Sequence, residues 1–197
     1  NALILTAITL ITGLLLGLVY EVTKDPIAAS KKRAKKEAYQ KVLSDAEAFA
    51  TYENFDIKEA SKAVANAGIE GCRVDEVIEA TAGDKVAGYI VTTTSSEGYG
   101  GDLQISVGIL KDGTVNGVAI LSISETVGLG MKATEPEFYE QFSDKQVGQF
   151  VVTKTGAEND HEIDALSGAT VTSNAVTDAV NAALAYYNSV IGGSVNE

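Results

Sequence analysis

Two stretches carry the residue types and spacing that could do chemistry. In the first, Asp164, Ser167, Gly168, Ala169, Thr170, Thr172 and Ser173 lie where strand-like sequence gives way to the last helical segment. A glycine and several hydroxyl residues at a helix start expose main-chain N–H groups, which together with the helix dipole attract a phosphate. Ser and Thr at such a position are also ordinary helix caps, and chemistry alone favours the cap. In the second, Gly98, Tyr99, Gly100 and Gly101 are followed by Glu125, Thr126, Val127, Gly128, Leu129 and Gly130. Glycines this dense permit positive φ and let a flat ligand approach the main chain closely. Neither run continues into helical periodicity, so neither is a dinucleotide-binding fingerprint. Taken alone, they read as two surface loops.

Other chemistry is excluded by composition. Cys72 is the only cysteine and His161 the only histidine. No disulfide can form within the chain and no Cys/His metal cluster can be assembled. No catalytic residue and no metal site are expected, and redox chemistry would need an organic cofactor. The net charge of -12 is uneven: residues 24–36 carry six Lys/Arg against one acid, and residues 40–197 carry nine against 24. An acidic body repels phosphate backbones, which argues against nucleic acid as a partner.

The elements that must position these residues begin with an uncharged run, Ala2 to Tyr20. At ~1.5 Å per residue it is long enough to cross the roughly 30 Å hydrocarbon layer as a transmembrane helix. A cleaved signal peptide, with Ala28, Ala29 and Ser30 marking the cut, is the competing reading. The sequence starts at Asn1 without an initiator Met, so a short preceding flank is expected. Ala2, Thr6, Thr9, Gly13, Gly17 and Tyr20 form a mostly small-residue stripe, which suits a helical partner in the membrane. Residues 24–50 read as a helical stalk, with Pro26 separating it from the anchor. From residue 72 the period becomes two. Arg73–Thr81 and Val86–Thr94 form one expected hairpin about Gly83 and Asp84; Leu103–Leu110 and Thr114–Ser122 form another about Asp112 and Gly113. A short helix over Glu135–Phe142, a strand over Gln149–Lys154 and a helix over Val171–Tyr187, ended by Gly192 and Gly193, complete the domain. The expected fold is α+β, an antiparallel sheet with packed helices, preceded by one N-terminal transmembrane helix. The expected divisions are an anchor over 1–23, the stalk over 24–50 and a domain over 51–197.

Together these stretches resemble the FMN-binding domain shared by the G subunit of the Rnf ion-pumping ferredoxin:NAD oxidoreductase and the C subunit of the sodium-pumping NADH:quinone reductase. The family motif Asp-x-x-(Ser/Thr)-Gly-Ala-Thr is matched by Asp164, Ser167, Gly168, Ala169 and Thr170 without departure. Gly98, Tyr99, Gly100 and Gly101 match its glycine-rich loop, and Glu125, Thr126, Gly128, Leu129 and Gly130 its Glu-Thr-Pro-Gly-Leu-Gly segment, with Val127 where proline is usual. The resemblance implies one FMN joined through its phosphate to Thr170, with Ser167, Gly168 and Ala169 shaping the turn. Thr172 and Ser173 are candidate phosphate donors, Asp164 a recognition or turn residue, and Lys154 a candidate partner for phosphate or ring. It further implies an electron-transfer subunit of an ion-translocating membrane complex, other membrane subunits as partners, and a Mg-dependent flavin transferase that takes FMN from FAD. The short chain favours Rnf. Readings that stay open are an anchored flavoprotein of another electron-transfer chain, and a flavin-free scaffolding ectodomain whose hydroxyl turn is only a cap. The resemblance places the domain outside the cytoplasmic membrane, whereas Lys24, Lys31, Lys32, Arg33, Lys35 and Lys36 point it inward by the positive-inside rule.

Overall fold

The computed structural model describes residues 2–192. It divides into one unit up to Glu37 and a second from Ala38 onward. Helix α1 spans Ala2–Val42 and contains Pro26. Pro26 was expected to interrupt the helix between anchor and stalk, and the helix runs through it. The missing donor removes one intrahelical hydrogen bond, and the Ala- and Lys-rich sequence beyond it has enough helix propensity to carry on. An 18-residue window of α1 has a mean hydropathy of 2.5 with none of it buried. Leu3, Leu10, Leu14 and Leu16 all stand exposed, as lipid-facing residues do. Thr6, Thr9 and Thr12 return their hydroxyls to main-chain carbonyls three or four residues back.

The second unit is built on a five-stranded antiparallel sheet whose spatial order is its chain order: β1 (Ala48–Thr51), β2 (Cys72–Ala82), β3 (Lys85–Ser95), β4 (Leu103–Leu110) and β5 (Val115–Ser122). Two short turns set two of its hairpins. Gly83 and Gly113 adopt φ of +60° and +89° there, the conformation that glycine reaches without a Cβ penalty. The stalk expected to stay helical to residue 50 ends at Val42, and Ala48–Thr51 instead pairs with β2 at the sheet edge.

Strand β3 is buried from Gly88 to Ser95 because both faces of the sheet are covered. On one face Tyr89, Val91, Ile105, Val107 and Ile109 pack against α4 (Thr170–Tyr186), and β2, which carries Val74 and Val77, against α2 (Ile57–Asn66). Small residues on α4 (Ala175, Ala179, Ala182, Ala183) are fully buried and let the helix lie close to the strands. The Thr93 hydroxyl reaches the Ala179 carbonyl at 2.9 Å. On the other face Ile78, Ala80, Ile90 and Ala119 meet Ala38, Tyr39, Val42 and Leu43. Val42 sits over Gly108, and its carbonyl accepts from Asn116 Nδ2 at 2.7 Å.

After β5 the chain makes a 3₁₀ turn (Gly130–Thr134), α3 (Pro136–Tyr139) and a second 3₁₀ turn (Glu140–Phe142), so the short helix expected over Glu135–Phe142 is partly 3₁₀. A small parallel pair, β6 (Val151–Thr153) and β7 (Glu162–Asp164), leads into α4. Asn181 of α4 holds the approach to β6, accepting from Phe150 N–H and donating to its carbonyl. Beyond α4 a π turn covers Tyr187–Ile191; Gly193 lies outside the described residues.

Candidate functional site

The antiparallel order brings the site together. The end of β3 pairs with the start of β4 (Ser95 with Leu103), which in turn pairs with the end of β5 (Gln104 with Ser122). The loop holding Gly98–Gly101 and the loop holding Glu125–Gly130 therefore leave the same end of the sheet. The first turn of α4 joins them, and the three segments enclose a cavity of about 630 Å³ lined by Tyr99, Glu125, Thr126, Leu129, Gly130, Gly168, Ala169, Thr170, Val171 and Thr172. Its size lies within the range of sites for small organic ligands.

At the head of α4 the residue flanking the helix is Ala169, which has no side chain that could cap. The first main-chain bond of the helix is Ser173 N–H to Ala169 O at 3.0 Å. This leaves the N–H groups of Thr170, Val171 and Thr172 without helical partners. The Thr170 hydroxyl makes no hydrogen bond to any described residue and lines the cavity. Ser173 does the local bonding instead. Its buried hydroxyl donates to Ala169 O at 3.0 Å and accepts from Leu166 N–H at 2.9 Å. Gly168 makes the turn into the helix with φ +75°.

The loop after β5 is held from within. The Thr126 carbonyl accepts from Leu129 N–H at 3.1 Å and Met131 N–H at 3.2 Å. Glu125 is buried to 9% exposure, and its Oε1 accepts from Gly100 N–H at 3.2 Å. Tyr99, Val127, Leu129 and Val171 are exposed large hydrophobic residues about these segments.

Of the sequence candidates, Tyr99, Glu125, Thr126, Leu129, Gly130, Gly168, Ala169, Thr170 and Thr172 share the cavity wall. Gly98, Gly100, Gly101 and Gly128 belong to the loops behind that wall. Ser167 is exposed and does not line the cavity, and Ser173 is turned inward. Asp164 accepts from Ala157 N–H at 2.7 Å, a bond that closes the loop between β6 and β7. Lys154 is exposed and not among the lining residues. Val171 was not foreseen; its place directly after Thr170, on the outer side of the first helical turn, was the available signal.

A second polar cluster lies at the start of β2. Burial raises the Cys72 thiol above its ordinary value, and it raises the Asp178 carboxyl too, with the nearby charge of Glu97 adding to the effect.

Residues 98–185 match the FMN-binding domain family, and residues 1–42 match the RnfG N-terminal region. The G subunit of the Na+-translocating ferredoxin:NAD+ oxidoreductase complex of Acetobacterium woodii is 34% identical over 193 residues, which is 95% of this chain and 90% of that protein. The G subunit of the proton-translocating ferredoxin:NAD+ oxidoreductase complex of Clostridium ljungdahlii is 31% identical over 190 residues, 96% of this chain and 91% of that one. Among solved structures, NqrC of Shewanella oneidensis is similar in fold, with a TM-score of 0.51 at 21% identity over 61% of this chain and 60% of its own.

Proposed function

The chain belongs to the family of G subunits of Rnf ion-translocating oxidoreductase complexes, and on that premise we propose that it is the electron-transfer subunit of such a complex, with FMN joined covalently to Thr170. The observation that carries this reading is the head of α4. A capping threonine would stand at the flanking position with its oxygen on a main-chain N–H. Here alanine holds that position, and Thr170, one residue further on, presents an unbonded hydroxyl to the cavity.

The residues suit the group. The N–H donors of Thr170, Val171 and Thr172, free of helical partners, would hold a phosphate, with the positive end of the helix dipole adding to the attraction. Tyr99, Leu129 and Val171 supply the apolar surface that a flat aromatic ring needs. Bound FMN takes up one or two electrons and so exchanges single electrons with neighbouring redox centres. Thr170 has no acid or base role. Its Oγ1 would take the bond to phosphorus as the anhydride bond of FAD broke, with AMP as the leaving group and the hydroxyl proton passing to it. A Mg-dependent flavin transferase supplies that step as a transient partner. The other membrane subunits of the complex are the lasting ones, α1 is the anchor, and the domain lies on the extracytoplasmic side.

Intact-mass measurement on chain made together with the transferase tests the reading. One adduct equal to FMN less one water is expected, with fluorescence that survives a denaturing gel. Thr170→Ala abolishes both signals while circular dichroism stays native, and Thr172→Ala keeps both. An adduct that persists in Thr170→Ala, or is missing from wild type beside an active transferase, overturns covalent attachment at Thr170.

A further inference from the structure

The two glycine-rich stretches close around a single side chain. A methyl group at Gly98 would stand 2.9 Å from Glu125 Oε1 and would also strike the Gly101 carbonyl. One at Gly100 would strike the Ser124 carbonyl and lie 3.3 Å from Glu125 Cα. One at Gly130 would stand 2.8 Å from Glu125 Oε2 and 2.5 Å from Thr172 Oγ1. None of the three has positive φ. Space, and not backbone conformation, demands glycine at these positions, and Glu125 with its immediate main chain takes up much of that space.

We infer that Glu125 is a positioning residue, whose buried carboxyl group ties the Gly98–Gly101 loop to the chain entering the 3₁₀ turn and thereby sets the spacing of the cavity walls. It acts through the main chain of Gly100, and its side chain packs close to Gly130. The inference rests on the reading of this cavity as the FMN site. What the role requires is reach. Two methylenes carry the oxygen to the Gly100 N–H, so glutamine, with a carbonyl oxygen at the same distance, can serve. Aspartate keeps the carboxyl group but is one methylene short.

Hydrogen exchange followed by mass spectrometry on the full chain in detergent, made without the transferase, separates these cases. In Glu125→Asp, exchange in peptides spanning Gly98–Gly101 should speed up by roughly tenfold, as loss of the hydrogen bond on the part-buried Gly100 amide predicts. In Glu125→Gln it should stay within about twofold of wild type, a small fraction of one such bond. Amides of Leu103–Leu110 report global folding and should be unchanged in both variants. When the transferase is then supplied, the initial rate of adduct formation should fall in Glu125→Asp and hold in Glu125→Gln. Unchanged loop exchange in Glu125→Asp, or loop exchange in Glu125→Gln as fast as in Glu125→Asp, would overturn the role. Because the exchange readout needs no flavin, it stands apart from the Thr170 test. A wild type that never gains an adduct, with the exchange pattern above in the two variants, sinks covalent attachment and leaves the tie between the loops.

Discussion

At the residue scale the site depends on where hydroxyls and glycines stand relative to one helix start. Motif reading singles out Thr170, because fixed spacing survives in sequence, whereas the chemistry of the residues alone favours a cap there. A cap needs the side chain of the residue that flanks the helix, a matter of one position, and Ala169 stands there. The glycines show a similar limit. Gly98, Gly100 and Gly130 read in sequence as parts of two surface loops that a flat ligand could approach closely, whereas Cβ atoms there would meet protein; a sequence does not reveal what fills the space beside a glycine. Gly168 is different in kind. Its φ of +75° disfavours any side chain, and a Cβ would also sit 3.2 Å from Leu129 Cδ2. Gly168→Ala is therefore expected to cost about 1–2 kcal/mol of stability and to lower the fraction of chain that gains an adduct. Urea unfolding monitored by circular dichroism, together with intact mass, checks both outcomes.

Elements differ in how plainly they were written. The central hairpins were legible because a period of two is broken by strong turn residues, and their strands fall within a residue of the expected ends. Helix α2 escaped notice although Asp56 caps it, accepting from Lys58 N–H at 2.6 Å and Glu59 N–H at 3.2 Å. Its apolar face rests on Ala60, Ala63 and Val64, too small a stripe to stand out. Strands β1 and β7 are four and three residues long, and such pieces are decided by their partners rather than by local pattern. Where β2 begins, α4 brings Asp178 near Glu97 and Cys72, and the raised carboxyl of Asp178 has a consequence for stability. An acid whose folded value lies above its unfolded one binds more protons when folded, so it favours folding least once both states are ionised. Asp178→Asn should thus raise the melting temperature by a few degrees at neutral pH. The gain should shrink as pH falls, and vanish below the ordinary carboxyl value of 3.8, where aspartate is neutral in both states. Melting curves across that window, compared with wild type, would reject the idea if the difference did not change with pH.

For the whole molecule, topology and assembly are the open consequences. Six basic residues follow the apolar run and would ordinarily stay in the cytoplasm, yet the proposed function sets the domain outside, where partner subunits fix the orientation of a single helix. Protease added to intact spheroplasts should digest the domain; full protection until lysis is the contrary result. In α1, Gly13 and Gly17 have nothing within 4 Å of an added Cβ, so leucine at both fits the chain itself and alters only what a neighbouring helix can approach. The double variant should remain in the membrane, keep its adduct and lose co-purification with other subunits, whereas unchanged co-purification would mean that this face meets lipid. The strand order β1 to β5 carries a further meaning, about time. Each strand pairs with the one made just before it, so the sheet can grow hairpin by hairpin during synthesis with short loop closures. Helix α4 comes last, and it packs on β2, β3 and β4 at once. Thr170, the proposed acceptor, reaches its cavity only when that helix docks. On the proposed attachment at Thr170, chains cut short of α4 would lack the acceptor, and loading would follow docking of that helix onto the sheet.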